Sequence, residues 1–267
     1  PEFKFARNPE NIQRAVERLK VQYPVVSDND EIIWSAFSNR YWPTKYLIDK
    51  DGFIRYSHQG EGGYDQFERA IQALVAEAGI HGELPELTEP VRDTDVPGAI
   101  CYKMTGEVHT GYLRGALGNT EGYSPESTLN YLDGGIYFPG RFYADGKWIS
   151  EKESVRFNGE ANEVGHNVIR YESAEVNAVV NVERGKNCKV FVEQDGIWLP
   201  NQNRGSDVLV ARDGATYVMV DEGKMFNLIK NKEFGQHVLR LTTSDSRFQL
   251  YAFSFVSSII PEVVPAN

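Results

Sequence analysis

The sequence predicts a two-part chain in which a short α/β unit precedes a larger all-β sandwich. Its 267 residues suffice for two hydrophobic cores, because compact domains cluster at about 100–150 residues. Helix and strand patterns alternate up to about residue 80, whereas short β-rich runs separated by turn signals follow from about residue 135. This change of pattern indicates two domains of different class.

Helical and extended patterns succeed one another at the start of the chain. Asn8-Pro9 supplies an N-cap with proline at the first helical position, which predicts a helix over about residues 9–20. The short apolar run Tyr23–Val26 then favours a strand. The acceptors at Ser27–Asp30 suit the start of a second, short helix that carries Ile33, Trp34 and Phe37.

A β-hairpin and a final helix complete the front unit. The β-rich runs Lys45–Ile48 and Phe53–Ser57 are joined through Asp51-Gly52, whose turn chemistry predicts antiparallel neighbours. Phe67–Ala78 has apolar residues at helical spacing, and Gly79 follows where a helix C-cap belongs. The first domain is therefore expected to span residues 1–81.

A connector of different composition follows the front unit. Residues 82–98 contain three prolines among acidic and threonine residues, which favours an extended linker. Residues 99–134 are rich in glycine and predict a long loop wrapped on the surface of either domain. We expect linker and wrapping loops over 82–134 and the second domain over 135–267.

The second domain is predicted from regularly spaced β-rich runs. Turns such as Asp145-Gly146 and Asp195-Gly196 separate them, as in a two-sheet β-sandwich, and alternation places Val190 and Val192 on one face with Phe191 on the other. The predicted strands are Gly140–Ala144, Ser154–Phe157, Asn167–Tyr171, Ala174–Val182, Lys189–Gln194, Val208–Val210, Thr216–Val220, His237–Thr242 and Gln249–Val256.

The order of elements and the residues around Pro43 resemble the C-terminal two-thirds of a thioredoxin fold. Tyr41-Trp42-Pro43-Thr44 stands immediately before the strand that starts at Lys45, where thioredoxin-like proteins hold a cis proline facing their redox cysteines. The resemblance implies a cis Trp42-Pro43 bond and substrate binding by Trp42, Pro43 and Thr44. The alternative is an ordinary trans proline at the start of an edge strand.

A longer series of segments resembles the extracytoplasmic redoxin region of DipZ-type proteins, relatives of TlpA. In that family a jelly-roll module similar to carbohydrate-binding modules follows the redoxin domain, and Asp145-Gly146-Lys147-Trp148 and Tyr251–Phe255 are similar to its segments. The resemblance implies a place in the periplasm or at the cell surface. The matching front segments are Pro1-Glu2-Phe3, Tyr23-Pro24-Val25-Val26, Asn39-Arg40-Tyr41-Trp42-Pro43, Tyr46-Leu47-Ile48-Asp49 and Gly60-Glu61-Gly62.

The jelly-roll resemblance raises the question of a glycan partner. Tyr143, Trp148 and Trp198 are the candidates for stacking on a sugar face. Aromatic residues that alternate along strands are more often core residues, and we favour that interpretation.

The redox chemistry of the family has no counterpart among these residues. The family's C-x-x-C lies at the start of the first helix, upstream of Pro1, whereas the only cysteines here are Cys101 and Cys188. These two are interpreted as buried thiols, with a single disulfide as the alternative. We expect no catalytic residue and no cofactor in this chain. The resemblance places the cysteine pair in a βαβ segment upstream of Pro1, which is either part of the same polypeptide or a separate chain. The alternative is that this homologue has lost the pair.

Composition and spacing exclude several other functions. The formal charge of −10, without a local basic cluster, argues against nucleic acid as a partner. No uncharged apolar run approaches the roughly 20 residues of a membrane span. The histidines lack metal-ligand spacing, so no metal site is expected. The carboxylate pairs Asp28 with Asp30 and Glu61 with Asp65 are explained as helix caps and loop acceptors.

Two hypotheses for function follow. The first is the substrate-facing and accessory part of an extracytoplasmic thioredoxin-like thiol–disulfide oxidoreductase, with protein thiols or disulfides as partners. The second is a binding protein that joins a redox-dead redoxin scaffold to a glycan- or protein-binding jelly roll.

Overall fold

The fold is described from a computed structural model covering residues 2–80, 82–183 and 185–261. The chain divides into two compact units. The larger contains the residues up to Ser27 together with Tyr102–Ser258, and the smaller contains Asp28–Cys101 together with the residues from Ile259.

The described residues form three α-helices and thirteen strands. The helices are α1 (Pro9–Arg18), α2 (Ile32–Ala36) and α3 (Tyr64–Glu77). The strands are β1 (Thr44–Ile48), β2 (Ile54–Gln59), β3 (Val108–His109), β4 (Thr128–Tyr131), β5 (Phe142–Ser150), β6 (Val155–Phe157), β7 (Gly165–Asn181), β8 (Cys188–Gln194), β9 (Ile197–Trp198), β10 (Leu209–Val210), β11 (Thr216–Val220), β12 (Lys224–Thr243) and β13 (Gln249–Val256).

The smaller unit contains the predicted hairpin. Strands β1 and β2 pair antiparallel, with Tyr46 opposite Ser57. The Asp49 carboxylate accepts hydrogen bonds from the backbone N–H groups of Asp51 and Phe53, while Gly52 takes the left-handed φ of +88° that the turn requires. The sequence prediction of this hairpin is confirmed.

One element predicted in the front segment does not form. Residues 23–26 are not a strand, and the side chains of Tyr23 and Val26 are 71% and 72% exposed. Pro24 lacks the N–H group that a central strand would donate, and no described strand lies along this segment. The prediction was therefore wrong here, although α1 and α2 form close to their predicted places.

The larger unit is mostly β, with its strands joined through one continuous set of hydrogen bonds. The order is β10-β11-β8-β12-β7-β13-β6-β5-β4, with β3 beside β13 and β9 beside β8. Because β5 also pairs with β7, the strands β7, β13, β6 and β5 close a circuit. The long strands β7 and β12 pair through two register shifts, where bulges bend them.

The hydrophobic core of the larger unit follows the predicted alternation. Val190 and Val192 on β8 are buried, whereas Phe191 between them is partly exposed. Trp148, Phe157 and other large side chains from β5 to β13 fill the same core. Each such side chain contributes about 1.5–3 kcal/mol when it leaves water.

The limits of the units differ from the predicted domains 1–81, 82–134 and 135–267. The start of the chain packs on the β unit, because the Phe3 ring, 5% exposed, meets Tyr251 edge-on at 5.1 Å. The predicted wrapping loop over 99–134 also supplies core residues, since Val108 and Tyr131 are buried. The boundary at residue 81 was wrong for the segment that carries α1, because helical periodicity identifies an amphipathic helix but not the surface against which it packs.

Candidate functional site

The loop Tyr41–Thr44, which we call the Pro43 loop, lies directly before β1. Its Trp42-Pro43 peptide bond is cis, as the family resemblance implies. The Pro43 carbonyl accepts a hydrogen bond from the Gly60 backbone N–H at 2.8 Å, and the Thr44 hydroxyl donates to the Tyr41 carbonyl at 2.7 Å. These bonds hold the loop against the end of β2.

The aromatic side chains of the Pro43 loop face solvent. Trp42 is 61% exposed and Tyr41 is 56% exposed, which is unusual for rings of this size. One side of the Trp42 indole contacts Trp34 of α2, with ring centroids 4.6 Å apart. The loop therefore presents an apolar surface supported from one side.

Helix α2 is fixed in place by a side-chain cap. The Asp28 carboxylate accepts hydrogen bonds from the backbone N–H groups of Ile33 and Trp34, at 3.0 and 2.7 Å. The bond from Ile33 is the main cause of the lowered pKa of Asp28. Asp28 thus has the capping role that the sequence indicates, and through Trp34 it supports the Pro43 loop.

The edge of β1 opposite β2 has no strand beside it in the part of the chain that the structure describes. Because the Pro43 carbonyl points to β2, the backbone groups of Lys45 and Leu47 point the same way, and those of Thr44 and Tyr46 point to the open side. An extended segment could pair with these open donors and acceptors as an added strand.

The charged side chains of Glu61 and Lys45, near the start of α3, already have interaction partners. Glu61 accepts from the Tyr64 hydroxyl at 2.6 Å and pairs with Arg92 at 2.7 Å. The bond to Tyr64 is the main cause of the lowered pKa of Glu61, and the same bond raises the pKa of Tyr64. The ammonium of Lys45 lies 4.1 Å from the Tyr64 ring centroid. Glu61 is therefore a structural acceptor rather than a general base.

Both cysteines are free thiols. Cys188 lies in the core of the larger unit with 3% of its surface exposed, and burial raises the pKa of its thiol to about 12. Cys101 is half-buried in the smaller unit. Since the thiolate is the reactive form, Cys188 has the environment of an inert structural cysteine.

The structure corrects two of the three aromatic candidates for sugar binding. Trp148 is fully buried, with its indole N–H donating to the Asp145 carbonyl at 2.7 Å. Tyr143 is 6% exposed, and its hydroxyl accepts from the Phe138 backbone N–H. Neither ring has a free face: Tyr143 and Trp148 lie five residues apart on β5 and so on opposite faces of the strand, and both are packed. Trp198 is 41% exposed.

Sequence comparison identifies the larger unit. The family described as "Thioredoxin like C-terminal domain" matches residues 105–255, more than half of the chain. The chain belongs to this family. The matched region begins just before β3, so it coincides with the β unit of the structure and not with the Pro43 loop.

Two kinds of curated protein are similar to this chain. The chain is 30% identical over 140 residues to Protein DipZ of Mycobacterium bovis and of Mycobacterium tuberculosis, an alignment that covers 52% of this chain and 18% of each relative. It is 29% identical over 70 residues to the thiol-disulfide oxidoreductase YkuV of Bacillus subtilis, covering 26% of this chain and 47% of that protein. The chain thus spans about a fifth of the length of the DipZ proteins. No helix in the described ranges is long and apolar enough to cross a membrane.

Proposed function

We propose that this chain is the substrate-facing and accessory part of an extracytoplasmic thioredoxin-like thiol–disulfide oxidoreductase. The similarity to DipZ and YkuV supports the reaction class. The observation that carries the proposal is the exposed Trp42 on a loop with a cis Pro43, next to an open strand edge. The partners are protein thiols or disulfides.

The Pro43 loop is proposed as the docking site for the substrate peptide. The Trp42 indole offers an apolar face to side chains near the substrate cysteine, and its support by Trp34 limits the entropy lost on binding. The backbone beside Pro43 offers hydrogen bonds to an extended peptide, so the affinity does not depend on one substrate sequence. Thr44 keeps the loop closed through its bond to Tyr41.

The cysteine pair is proposed to come from a segment outside these 267 residues. Thiol–disulfide exchange needs a thiolate that attacks one sulfur of a disulfide and releases the other as a thiolate, followed by attack of a second cysteine on the mixed disulfide. Cys188 is buried and Cys101 has no cysteine close by in sequence. We propose that the segment adds a strand to the open edge of β1, bringing its cysteines to the Pro43 loop.

Insulin reduction tests this function directly. The 267-residue chain should give the background rate, and the chain extended upstream by its natural sequence should give catalysed turnover. In the extended protein, Ser in place of the added cysteines should abolish turnover, whereas Trp42→Ala should raise KM for a protein disulfide. An upstream sequence without a C-x-x-C, or unchanged kinetics of Trp42→Ala, would contradict the proposal.

Cell fractionation tests the extracytoplasmic location, and recovery of the protein in the cytoplasm would contradict it.

A second candidate function is glycan or protein binding by the β unit, interpreted as a jelly-roll module. The supporting observation is a group of aromatic rings at the surface, in which Phe191 lies 6.0 Å from Trp198 and 6.3 Å from Tyr217. Adjacent rings on a strand surface suit stacking against the apolar face of a sugar. Binding by this unit would persist when the redox cysteines are replaced, which separates it from the first proposal.

A further inference from the structure

Two acidic residues and a histidine meet at the edge of the larger unit. Glu107 directly precedes β3 and His109 lies within it, and their side chains approach one another. Glu2 reaches the same place because the neighbouring Phe3 is buried against Tyr251. The histidine Nε2 lies 3.4 Å from a Glu107 carboxylate oxygen and 3.8 Å from one of Glu2.

The spacing of these three atoms suits a shared cation. They lie within 4.8 Å of one another, and the two distances from Nε2 exceed those of a normal hydrogen bond. Ligand atoms about 2.0–2.2 Å from a tetrahedral metal are separated by about 3.4 Å. The separations in the structure therefore match ligands around a metal better than a direct pair.

The other histidines with acidic neighbours are arranged differently. The two carboxylates near His166 approach different ring nitrogens, with Asp133 3.4 Å from Nε2 and Asp145 3.9 Å from Nδ1, so they do not share one nitrogen as Glu2 and Glu107 do. His237 contacts Asp195 directly at 2.7 Å. Within the described residues, the grouping of Glu2, Glu107 and His109 alone brings three ligand atoms together.

We propose that Glu2, Glu107 and His109 bind a divalent transition-metal cation of the zinc type. One imidazole nitrogen with two carboxylate oxygens favours such ions over Mg²⁺, which prefers oxygen and water ligands. The Arg114 guanidinium donates a hydrogen bond to Oε1 of Glu2 at 2.7 Å, which fixes the position of this carboxylate beside His109. Water would complete the coordination.

Cation binding would fasten the start of the chain to the β unit. Glu2 and Glu107 are far apart in sequence, so the site exists only when the segment carrying Phe3 is docked. A ligand that binds only the folded arrangement raises the unfolding temperature by mass action. The proposal thus predicts a stability effect as well as binding.

Calorimetric titration of the 267-residue chain with ZnCl₂ tests the site, with thermal unfolding as a second readout. We expect one Zn²⁺ per chain, a Tm that rises with Zn²⁺ and returns with a chelator, and no effect of MgCl₂. His109→Gln and Glu107→Gln should each bind Zn²⁺ at least tenfold more weakly, with circular dichroism confirming the native fold. His166→Gln, a histidine beside carboxylates in the same unit, is the matched control and should bind as the parent does.

Several results would overturn the proposal. These are the lack of saturable Zn²⁺ binding by the parent chain, undiminished binding by His109→Gln, and an equal loss in His166→Gln. Co²⁺ provides an independent check, because ligation by His109 gives visible absorption bands that differ from those of the aqueous ion. Identical Co²⁺ spectra for the parent and His109→Gln would contradict the assignment of this ligand.

Discussion

The thiol of Cys188 should be almost unreactive while the protein is folded. Burial raises its pKa from the ordinary 9.0 to about 12. Each pKa unit changes the thiolate fraction about tenfold, so at pH 8 the thiolate population falls by about a thousandfold. The 3% exposure of the residue hinders reagents further, so the reduction in rate is expected to be at least this large.

The measurement uses the Cys101→Ser variant, in which Cys188 is the only thiol. Its reaction with an aromatic disulfide reagent should be at least about a thousandfold slower in buffer than in guanidinium at the same pH. Cys188→Ser is the matched control, in which the half-buried Cys101 should react readily in the folded protein. If native Cys188 reacts within about tenfold of the unfolded rate, the burial argument fails, and with it the reason for placing the redox cysteines outside this chain.

Four further outcomes follow from contacts in the structure. Trp148→Ala should lower the free energy of unfolding by about 3–5 kcal/mol in guanidinium titrations, because the residue is fully buried; a loss below about 1 kcal/mol would contradict its place in the core. Trp42→Ala should leave stability within about 0.5 kcal/mol but weaken binding of a cysteine-containing peptide by about 30-fold, and equal affinity would count against the docking site. The pKa of Asp245 is lowered, chiefly by its bond to Arg247, so its stabilisation is present above the ordinary pKa of 3.8 and lost as the pH falls through the lower, folded value. Asp245→Asn should therefore cost at most about 1 kcal/mol at pH 7 and nothing in strong acid, and a pH-independent cost would refute the pairing. Trp198→Ala should abolish any glycan retention on an array, whereas retained binding would exclude this ring.

Local turn chemistry and strand alternation were readable from the sequence. Asp51-Gly52 predicts the hairpin, because the left-handed φ that such a turn requires is a property of the single residue Gly52. The burial of Val190 and Val192 on either side of Phe191 follows from the period of two along a strand. Such features depend on neighbours in the chain and require no knowledge of the rest of the fold.

Features that depend on distant partners were not readable. Phe3 gives no sign in the sequence that it packs on Tyr251, and the glycine-rich stretch before residue 135 hides the buried Val108. The proposed cation site was missed for the same reason, because Glu2 is separated from Glu107 and no ligand spacing motif connects them. Long-range packing decides these positions, and periodicity carries no information about it.

The open edge of β1 gives a residue-level prediction about the proposed upstream segment. In the antiparallel pair with β2, the N–H groups of Lys45 and Leu47 point to β2, and those of Thr44 and Tyr46 point to the open side. Amide hydrogen exchange followed by NMR should show slow exchange at Lys45 and Leu47 and fast exchange at Thr44 and Tyr46.

Addition of the upstream segment should change only one half of this pattern. A strand that pairs with the open edge would give the amides of Thr44 and Tyr46 hydrogen-bond partners and so protect them from exchange. Pairing is favoured because a backbone group that is buried without a partner costs about 1–3 kcal/mol. Lys45 and Leu47 already have partners on β2, so they serve as internal controls. Protection of all four amides in the 267-residue chain alone would mean that the edge is already covered. Fast exchange at Thr44 and Tyr46 in the extended protein would mean that the segment docks elsewhere, and the cysteines would then not reach the Pro43 loop by this route.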